Sequence, residues 1–307
     1  MFIIDPEPWS VPAYRIGPFR TKDIGANNRL HSDNAIDFYF KDRFKDRNFC
    51  YTIDGRSAIG KALEFYHLSK EDVVTILTTS GNIYIAKCVT DEISKTCRWS
   101  RSFESQTKVV LVNHEFGFPY SDLISLKKTG LPIIEDCAHS FFSRDENDTI
   151  GNVGDFSVYS FPKIFPIQIG GLLVSNNQNS IESVPLVNDL SLNYIKKVLS
   201  NYIRLREKII NKRIANYTYI SHKFKLLGFS ERFKLNNGIV PGVYMFNTGG
   251  QNIDLANLKK YFYAHGVQCS VFYGEEAFFI PVHQALNEYD MLYFYEVMKS
   301  FLKRLGL

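Results

Sequence analysis

Short apolar runs alternate with helix-like patterns through the first half of the chain. The runs are rich in Val, Ile and Leu and predict buried strands; they are DVVTILTT (72–79), KVVLVNHE (108–115), LPIIED (131–136), DFSVYSF (155–161) and GGLLVSN (170–176). Helical patterns lie between them at GRSAIGKALEFYHL (55–68) and YSDLISLKKTG (120–130). Nearly continuous apolar strands alternating with helices predict a mostly parallel sheet that is covered on both faces, and hence an α/β fold.

The second half of the chain has a different pattern. Residues 191–227 contain neither Pro nor Gly and predict one or two long helices. Residues 242–274 then read as strand, helix and strand, and residues 288–305 as a terminal helix. We therefore predict a large domain over residues 1–190, and connecting helices with a small α+β domain over residues 191–307. Prolines punctuate the first eighteen residues, and residues 1–50 are predicted to form an irregular arm.

Composition narrows the class of protein. The 307 residues are 45% hydrophobic, which is enough for a packed core, and the net charge of +4 is small. A basic cluster between Lys196 and Lys225 is typical of a solvent-facing helix, so no nucleic-acid partner is predicted.

No apolar run is long enough to span a bilayer, and no signal peptide is predicted. The five cysteines include no C-x-x-C pair, so neither a metal site nor a disulfide framework is predicted, and free thiols favour a cytoplasmic location.

The stretch DFSVYSFPKIFPIQIGG (155–171) places one lysine, Lys163, among apolar and aromatic residues. Two chemistries could use it. Ser160 could be a nucleophile with Lys163 as its base, or the amine of Lys163 could itself form a Schiff base with a carbonyl cofactor. The plainer alternative is a surface lysine at the end of a strand.

The serine-hydrolase alternative draws on two further triplets, SDN (32–34) and KTG (128–130). In the β-lactamase class, S-x-x-K precedes both of these triplets along the chain. Here it follows both, and KTG falls where a helix should end. We interpret this set as a chance combination of short motifs.

Pyridoxal phosphate (PLP) requires an amine, an acid beside the pyridinium nitrogen, a flat side chain over the ring, and amides or hydroxyls around the phosphate. Asp136 ends a predicted strand and could be the acid, although a turn aspartate is about equally expected there. Tyr84 could stack on the ring, or be an ordinary core tyrosine. His139 could lie near the phenolic oxygen, although a lone histidine is more often structural.

The phosphate could be held by Arg56 and Ser57, at the start of the first predicted helix, and by Ser160. Taken alone, the first two residues are better explained by ordinary helix capping. The order of all these elements along the chain adds weight to the PLP interpretation.

The motifs GRSA, IYIA, EDCAH, GNVGDFSVYSF, PK and IGG occur in this order between residues 50 and 175, and FIPVHQAL follows near the C-terminus. This series resembles the DegT-type sugar aminotransferases, which are PLP enzymes of fold type I. The resemblance implies that Lys163 is the Schiff-base lysine and Asp136 the pyridinium partner. It further implies that the remaining cofactor contacts come from Tyr84, His139, Arg56, Ser57 and Ser160.

The resemblance also implies a homodimer that moves an amino group, from a donor such as L-glutamate, onto a nucleotide-linked keto-sugar. The chain departs from the family pattern at Ile169, where Glu is usual, and has only two residues between Ser160 and Lys163. It is also shorter between Thr90 and Lys108 and again after Asn176. These departures leave a second hypothesis open, in which the chain binds PLP or a nucleotide sugar without turnover.

Overall fold

The computed structural model describes residues 12–176, 181 and 185–307. Its larger sheet has seven strands: β1 (Phe49–Thr52), β2 (Val73–Thr78), β3 (Arg98–Ser100), β4 (Thr107–Asn113), β5 (Ile133–Asp136), β6 (Phe156–Ser160) and β7 (Gly171–Ser175). Their order is β1-β7-β6-β5-β4-β2-β3. The neighbouring pairs β3–β2, β2–β4, β4–β5 and β5–β6 are parallel, whereas β7 is antiparallel to both β6 and β1. The predicted mostly parallel sheet is confirmed, with β1 and β3 as strands that the sequence pattern did not reveal.

Both faces of this sheet are buried. The helices of the same part of the chain are α1 (Lys22–Asn28), α2 (Ala35–Phe44), α3 (Gly55–Glu64), α4 (Lys87–Thr96), α5 (Leu123–Lys127) and α6 (Asp189–Ile203). Alternate side chains of β4 enter different clusters: Val109 and Leu111 pack with α3 and α4, whereas Val110 and Val112 pack with α5. Because side chains alternate across a strand, an unbroken apolar run such as β4 needs apolar cover on both sides.

A second, antiparallel sheet follows in the order β10-β11-β9-β8. Its strands are β8 (Ser230–Glu231), β9 (Val243–Asn247), β10 (Ser270–Phe272) and β11 (Ala277–Pro281), and its helices are α7 (Arg206–Lys225), α8 (Leu255–Ala264) and α9 (Glu288–Leu305). The sharp bounds of α9 follow from its sequence. Asn287 and Asp290 form a capping box, and Gly306 ends the helix with a φ of 76°.

Contacts divide the chain into two compact units. One contains residues 19–206 with 237–239, and the other contains residues 12–18, 207–236 and 240–307. The predicted division into domains at residue 190 stays a prediction. Among the described residues, no helix combines the length and the apolar character needed to cross a membrane.

The prediction of an irregular arm over residues 1–50 is wrong for the segments that form α1 and α2. Residues 1–11 lie outside the described part, but α1 and α2 both form before residue 45. The prolines that suggested the arm all precede residue 19. Beyond them, Ile36, Phe40 and Phe44 recur every four residues and are buried, which is the spacing of one helix face.

A fully buried carboxylate, Glu135, fixes the loop that leads into β6. Its Oε1 accepts hydrogen bonds from the amides of Val153 and Gly154, at 2.9 and 2.6 Å. Its Oε2 accepts from the amide of Gly151 at 2.7 Å and lies 2.9 Å from His114 Nε2. A buried carboxylate is tolerated when its oxygens are fully hydrogen-bonded, and this one joins β5 to the residue that follows β4 and to the loop before β6.

We expect Glu135→Ala to lower the free energy of unfolding by about 3–5 kcal/mol, because it leaves buried donors without an acceptor. Urea denaturation followed by circular dichroism would measure this loss. Glu146→Gln, at an exposed position in the loop between β5 and β6, is the control and should leave stability nearly unchanged. A loss below about 1 kcal/mol for Glu135→Ala would contradict the assigned network.

Candidate active site

All the predicted site residues follow strand ends at one edge of the larger sheet. The parallel strands β2, β4, β5 and β6 end at the same edge, which is where ligands bind in open α/β sheets. The end of β1 and the start of β7 lie at this edge too. Gly171, at the start of β7, pairs with Ser160 of β6 and with Thr52 at the end of β1. The residues that follow these ends are Arg56 and Ser57 after β1, Tyr84 after β2, Asp136 and His139 at and after the end of β5, and Ser160 and Lys163 at and after the end of β6.

Asp136 is a buried acid with two directed partners. Its side chain accepts from Asn113 Nδ2 at 2.9 Å and from the Ala138 amide at 3.0 Å, so both carboxylate oxygens have a donor. Asn113 is its direct partner across the β4–β5 ladder. Burial raises the pKa of Asp136, while the Ala138 amide, Asn113 and the charge of Lys163 act in the opposite direction and do not cancel it. A buried carboxylate held in this way would gain stability from a cation beside it.

Lys163 ends a short 3-10 helix, Phe161–Lys163, that follows β6. Phe161 is fully buried, and its amide donates to the Gly170 carbonyl at 3.0 Å, which fixes the start of this turn. The side chain of Lys163 is exposed, as a nucleophilic amine must be if it is to meet a cofactor. Its charge lowers the pKa of Asp136, so the two groups interact electrostatically.

The predicted phosphate ligands converge at the N-terminus of α3. A side chain at Gly55 would come within 3.2 Å of Ser160 Cβ, so glycine allows β6 to approach the helix start closely. Asp54 caps the helix by accepting from the Ser57 amide at 2.9 Å and from the Ser57 hydroxyl at 3.0 Å. Arg56 donates to the other oxygen of Asp54, from Nε at 3.1 Å and from Nη2 at 2.5 Å.

Aromatic rings form a second group at this edge. Phe116, which follows β4, has its ring centroid 6.1 Å from that of Tyr84 and 5.3 Å from that of His139. Phe116 adopts a left-handed conformation with a φ of 52°, which is uncommon outside glycine. Two hydrogen bonds hold the loop that carries Tyr84. The amide of Tyr84 donates to Asn82 Oδ1 at 2.6 Å, and the amide of Ser80 donates to the buried side chain of Glu115 at 2.7 Å.

His114, Glu135 and Cys137 have the residue types of a metal site, and their potential ligand atoms lie within 4.8 Å of one another. Their hydrogen bonds argue against that role. Nδ1 of His114 accepts from the Tyr120 amide at 3.1 Å, so Nε2 carries the proton and donates to Glu135. Burial raises the pKa of Cys137 well above its ordinary value, which disfavours the thiolate that a metal would need.

Structural comparison shows the fold. An aminotransferase, TlmJ, from Streptoalloteichus hindustanus superposes with a TM-score of 0.72 at 15% identity, covering 92% of this chain and 95% of that protein. A DegT DnrJ EryC1 StrS aminotransferase from Brucella abortus gives a TM-score of 0.70 at 13% identity, covering 91% and 93%. The chain therefore has the fold of PLP-dependent aminotransferases, as predicted.

Sequence comparison shows the family. Residues 36–241 match the family described as "Putative PLP-dependent aminotransferase". The chain belongs to this family, which confirms both the DegT-type resemblance and PLP as the cofactor.

Individual relatives match over shorter stretches. GDP-perosamine synthase of Escherichia coli O157:H7 is 27% identical over 161 residues, which cover 45% of this chain and 44% of the relative. A UDP-4-amino-4,6-dideoxy-N-acetyl-beta-L-altrosamine transaminase of Campylobacter jejuni (serotype O:23/36, strain 81-176) is 35% identical over 63 residues, which cover 20% of this chain and 17% of the relative. The chain thus spans less than half the length of these curated relatives.

The sequence interpretation missed Asp54, Asn113 and Phe116. A signal existed for two of them, because Asn113 and Phe116 lie at or just beyond the end of a predicted strand that neighbours the strand of Asp136. Asp54 precedes the GRSA motif and has the residue type of a helix cap. The loop after Asn176 that was predicted to be shortened includes residues 177–180 and 182–184, which lie outside the described residues.

We expect Asp136→Asn to change the pH dependence of stability in PLP-free protein. The folded-state pKa of Asp136 lies above its ordinary value of 3.8, so the folded protein binds more protons than the unfolded chain between the two values. Wild-type stability therefore falls as pH rises through this window, and the variant lacks that contribution.

As pH rises from about 4, Asp136→Asn should therefore become more stable relative to wild type, and the difference in unfolding free energy should then level off. Urea denaturation at a series of pH values measures it, with Glu146→Gln as an exposed control. A difference that stays constant with pH would show that Asp136 does not have a raised pKa.

Proposed function

We propose that this protein is a PLP-dependent aminotransferase that moves an amino group from an amino acid onto a nucleotide-linked keto-sugar. The observation that carries the proposal is that a buried acid, Asp136, and an exposed amine, Lys163, lie at and just beyond the ends of neighbouring parallel strands and interact electrostatically. These are the two groups that PLP chemistry needs most directly.

The residues present fit the cofactor at each of its functional groups. Lys163 Nζ would hold the carbonyl carbon, and the carboxylate of Asp136 would keep a proton on the ring nitrogen. Ser57 and Ser160 can donate to a phosphate, and Tyr84 and His139 offer flat rings that each lie near the ring of Phe116. The raised pKa of Asp136 supports this assignment, because a cation beside it would relieve the cost of its burial.

Bound PLP supplies an electron-withdrawing ring, which stabilises negative charge on the substrate carbon, and a carbonyl that can exchange nitrogen. Lys163 would act twice in the chain's own part of the reaction. Its amine would hold the cofactor and, with an amino donor in its place, would move a proton between Nζ and the substrate carbon. Asp136 would remain ionised throughout, since its role is to hold the ring proton in place.

The relatives support the substrate class. The names of the matched relatives describe a GDP-perosamine synthase and a transaminase of a UDP-linked amino sugar. A nucleotide-linked keto-sugar is therefore the proposed acceptor, and L-glutamate the proposed donor. We also propose a cytoplasmic location, which the five unpaired cysteines support.

We expect L-glutamate to abolish the visible absorption of PLP-loaded protein, and a nucleotide-linked keto-sugar to restore it. Borohydride reduction before glutamate is added should fix a pyridoxyl group on Lys163, as located by peptide mass spectrometry. Lys163→Ala should carry no such group, whereas Lys196→Ala, a lysine on α6, should behave as wild type.

Two results would contradict the proposal in different ways. A pyridoxyl group elsewhere than Lys163, or none, would remove the assigned cofactor site. An adduct at Lys163 with a spectrum that glutamate, glutamine and alanine all leave unchanged would instead favour binding without turnover.

We further propose that the protein is a homodimer. On α6, Ile195 and Leu199 are buried within one chain, whereas Leu190 near its start is 84% exposed. Leu186, which precedes α6, and Leu205, which follows it, are 44% and 49% exposed, so apolar surface remains for a partner.

Light scattering at micromolar concentration should give twice the 35.4 kDa of one chain. Leu190→Asp should shift the population toward monomer, while Leu226→Asp, an equally apolar exposed position beyond α7, should not. A monomeric wild-type protein would refute the dimer.

A further inference from the structure

The side chain of Asp54 occupies the N-terminus of α3. Its Oδ1 accepts from the Ser57 amide at 2.9 Å and from the Ser57 hydroxyl at 3.0 Å. Its Oδ2 accepts from Arg56 Nη2 at 2.5 Å and from Nε at 3.1 Å. One carboxylate thus engages a helix-terminal amide, a hydroxyl and a guanidinium together.

These donors are the ones that the proposed function assigns to the cofactor phosphate. The Ser57 amide has a single hydrogen, so it cannot fully serve Asp54 and a phosphate oxygen at the same time. Both groups are anions, and the positive end of a helix stabilises either one. Partial burial raises the pKa of Asp54, but hydrogen bonds from the Ser57 amide and Arg56 outweigh this and leave the pKa below 3.8. Asp54 is therefore charged at neutral pH, and the two anions would repel each other.

The backbone of Asp54 cannot withdraw to make room. A side chain at Gly171 would lie only 2.6 Å from the carbonyl carbon and oxygen of Asp54, so β7 packs directly behind it. The same carbonyl oxygen accepts from the Thr52 hydroxyl at 2.8 Å, and the Ile53 carbonyl accepts from the Gly170 amide at 2.6 Å. Any displacement must come from rotation of the Asp54 side chain.

That rotation has a path. The Asp54 side chain is 28% exposed and that of Arg56 is 54% exposed, so both can move toward solvent without opening the core. The ion pair between them is partly solvated, and such pairs contribute only about 0–1 kcal/mol.

We propose that Asp54 competes with the phosphate of PLP for the N-terminus of α3, so that the carboxylate must rotate away when the cofactor binds. This inference rests on the proposed function, because it takes the phosphate to bind at Ser57, Arg56 and Ser160. It makes Asp54 a determinant of cofactor affinity that acts through charge.

The test compares PLP with pyridoxal, which lacks the phosphate, on wild-type protein and Asp54→Asn. Asparagine caps helices as well as aspartate does, so the variant keeps the helix start and removes only the charge. Dissociation constants come from titrations of the visible absorbance, with borohydride trapping to confirm attachment at Lys163. Asp254→Asn is the matched control, because Asp254 caps α8 in the other unit through the amides of Ala256 and Asn257.

We expect Asp54→Asn to bind PLP roughly five- to tenfold more tightly than wild type, as removal of a like charge at a helix terminus implies. Its affinity for pyridoxal should be unchanged, as should both affinities of Asp254→Asn. Equal or weaker PLP binding by Asp54→Asn, with trapping still at Lys163, would overturn the competition while leaving the proposed function intact. Absence of trapping at Lys163 in every protein would overturn the proposed function itself.

Discussion

The candidate site depends most on the hydrogen bonds that the buried carboxylate of Glu135 accepts. Its two oxygens accept from the Gly151, Val153 and Gly154 amides and face the protonated nitrogen of His114. These bonds fix where the chain enters β6, and β6 leads directly to Ser160 and Lys163. The residue next to Glu135 is Asp136, so one strand end supplies both the structural anchor and the proposed pyridinium partner.

Two carboxylates at this edge of the sheet have opposite environments. Asp136 is buried, and its hydrogen bonds and nearby charges do not cancel the rise in its pKa that burial causes, so a cationic ligand would stabilise it. Asp54 is partly solvated, with a lowered pKa and a cation already beside it, so an anionic ligand must displace it. PLP carries both kinds of group: its protonated ring nitrogen would be attracted by Asp136, whereas its phosphate would be repelled by Asp54. The balance between these effects sets how tightly the cofactor would be held.

Much of the larger sheet could be predicted from the sequence because its strands are buried on both faces. Runs such as those of β2 and β4 have no polar alternation, and together with the helices between them they favour a parallel sheet that is covered on both faces. Of the strands that were missed, β3 is only three residues long and mostly exposed, and β1, although as long as the predicted β5, begins within the stretch that was interpreted as an arm. The helices α1 and α2 were missed because the prolines before residue 19 dominated the interpretation of that whole stretch.

The candidate site was predicted in part for a similar reason. Asp136 ends β5 and Lys163 follows β6, and both strands were predicted from their apolar pattern, so the position of these residues at the sheet edge follows from topology. Phe116 lies just beyond a predicted strand end, but its part in the site depends on a left-handed backbone conformation that no local pattern marks. The role of Asp54 was also missed, because which atoms a capping carboxylate engages is decided by tertiary packing, here by Gly171 directly behind it.

The measurement that tests the central claim most directly is a crystal structure of the protein loaded with PLP. The account predicts continuous electron density between Lys163 Nζ and the cofactor, with the carboxylate of Asp136 within hydrogen-bonding distance of the ring nitrogen. Density that joins PLP to another lysine, or a ring nitrogen that faces away from Asp136, would contradict it.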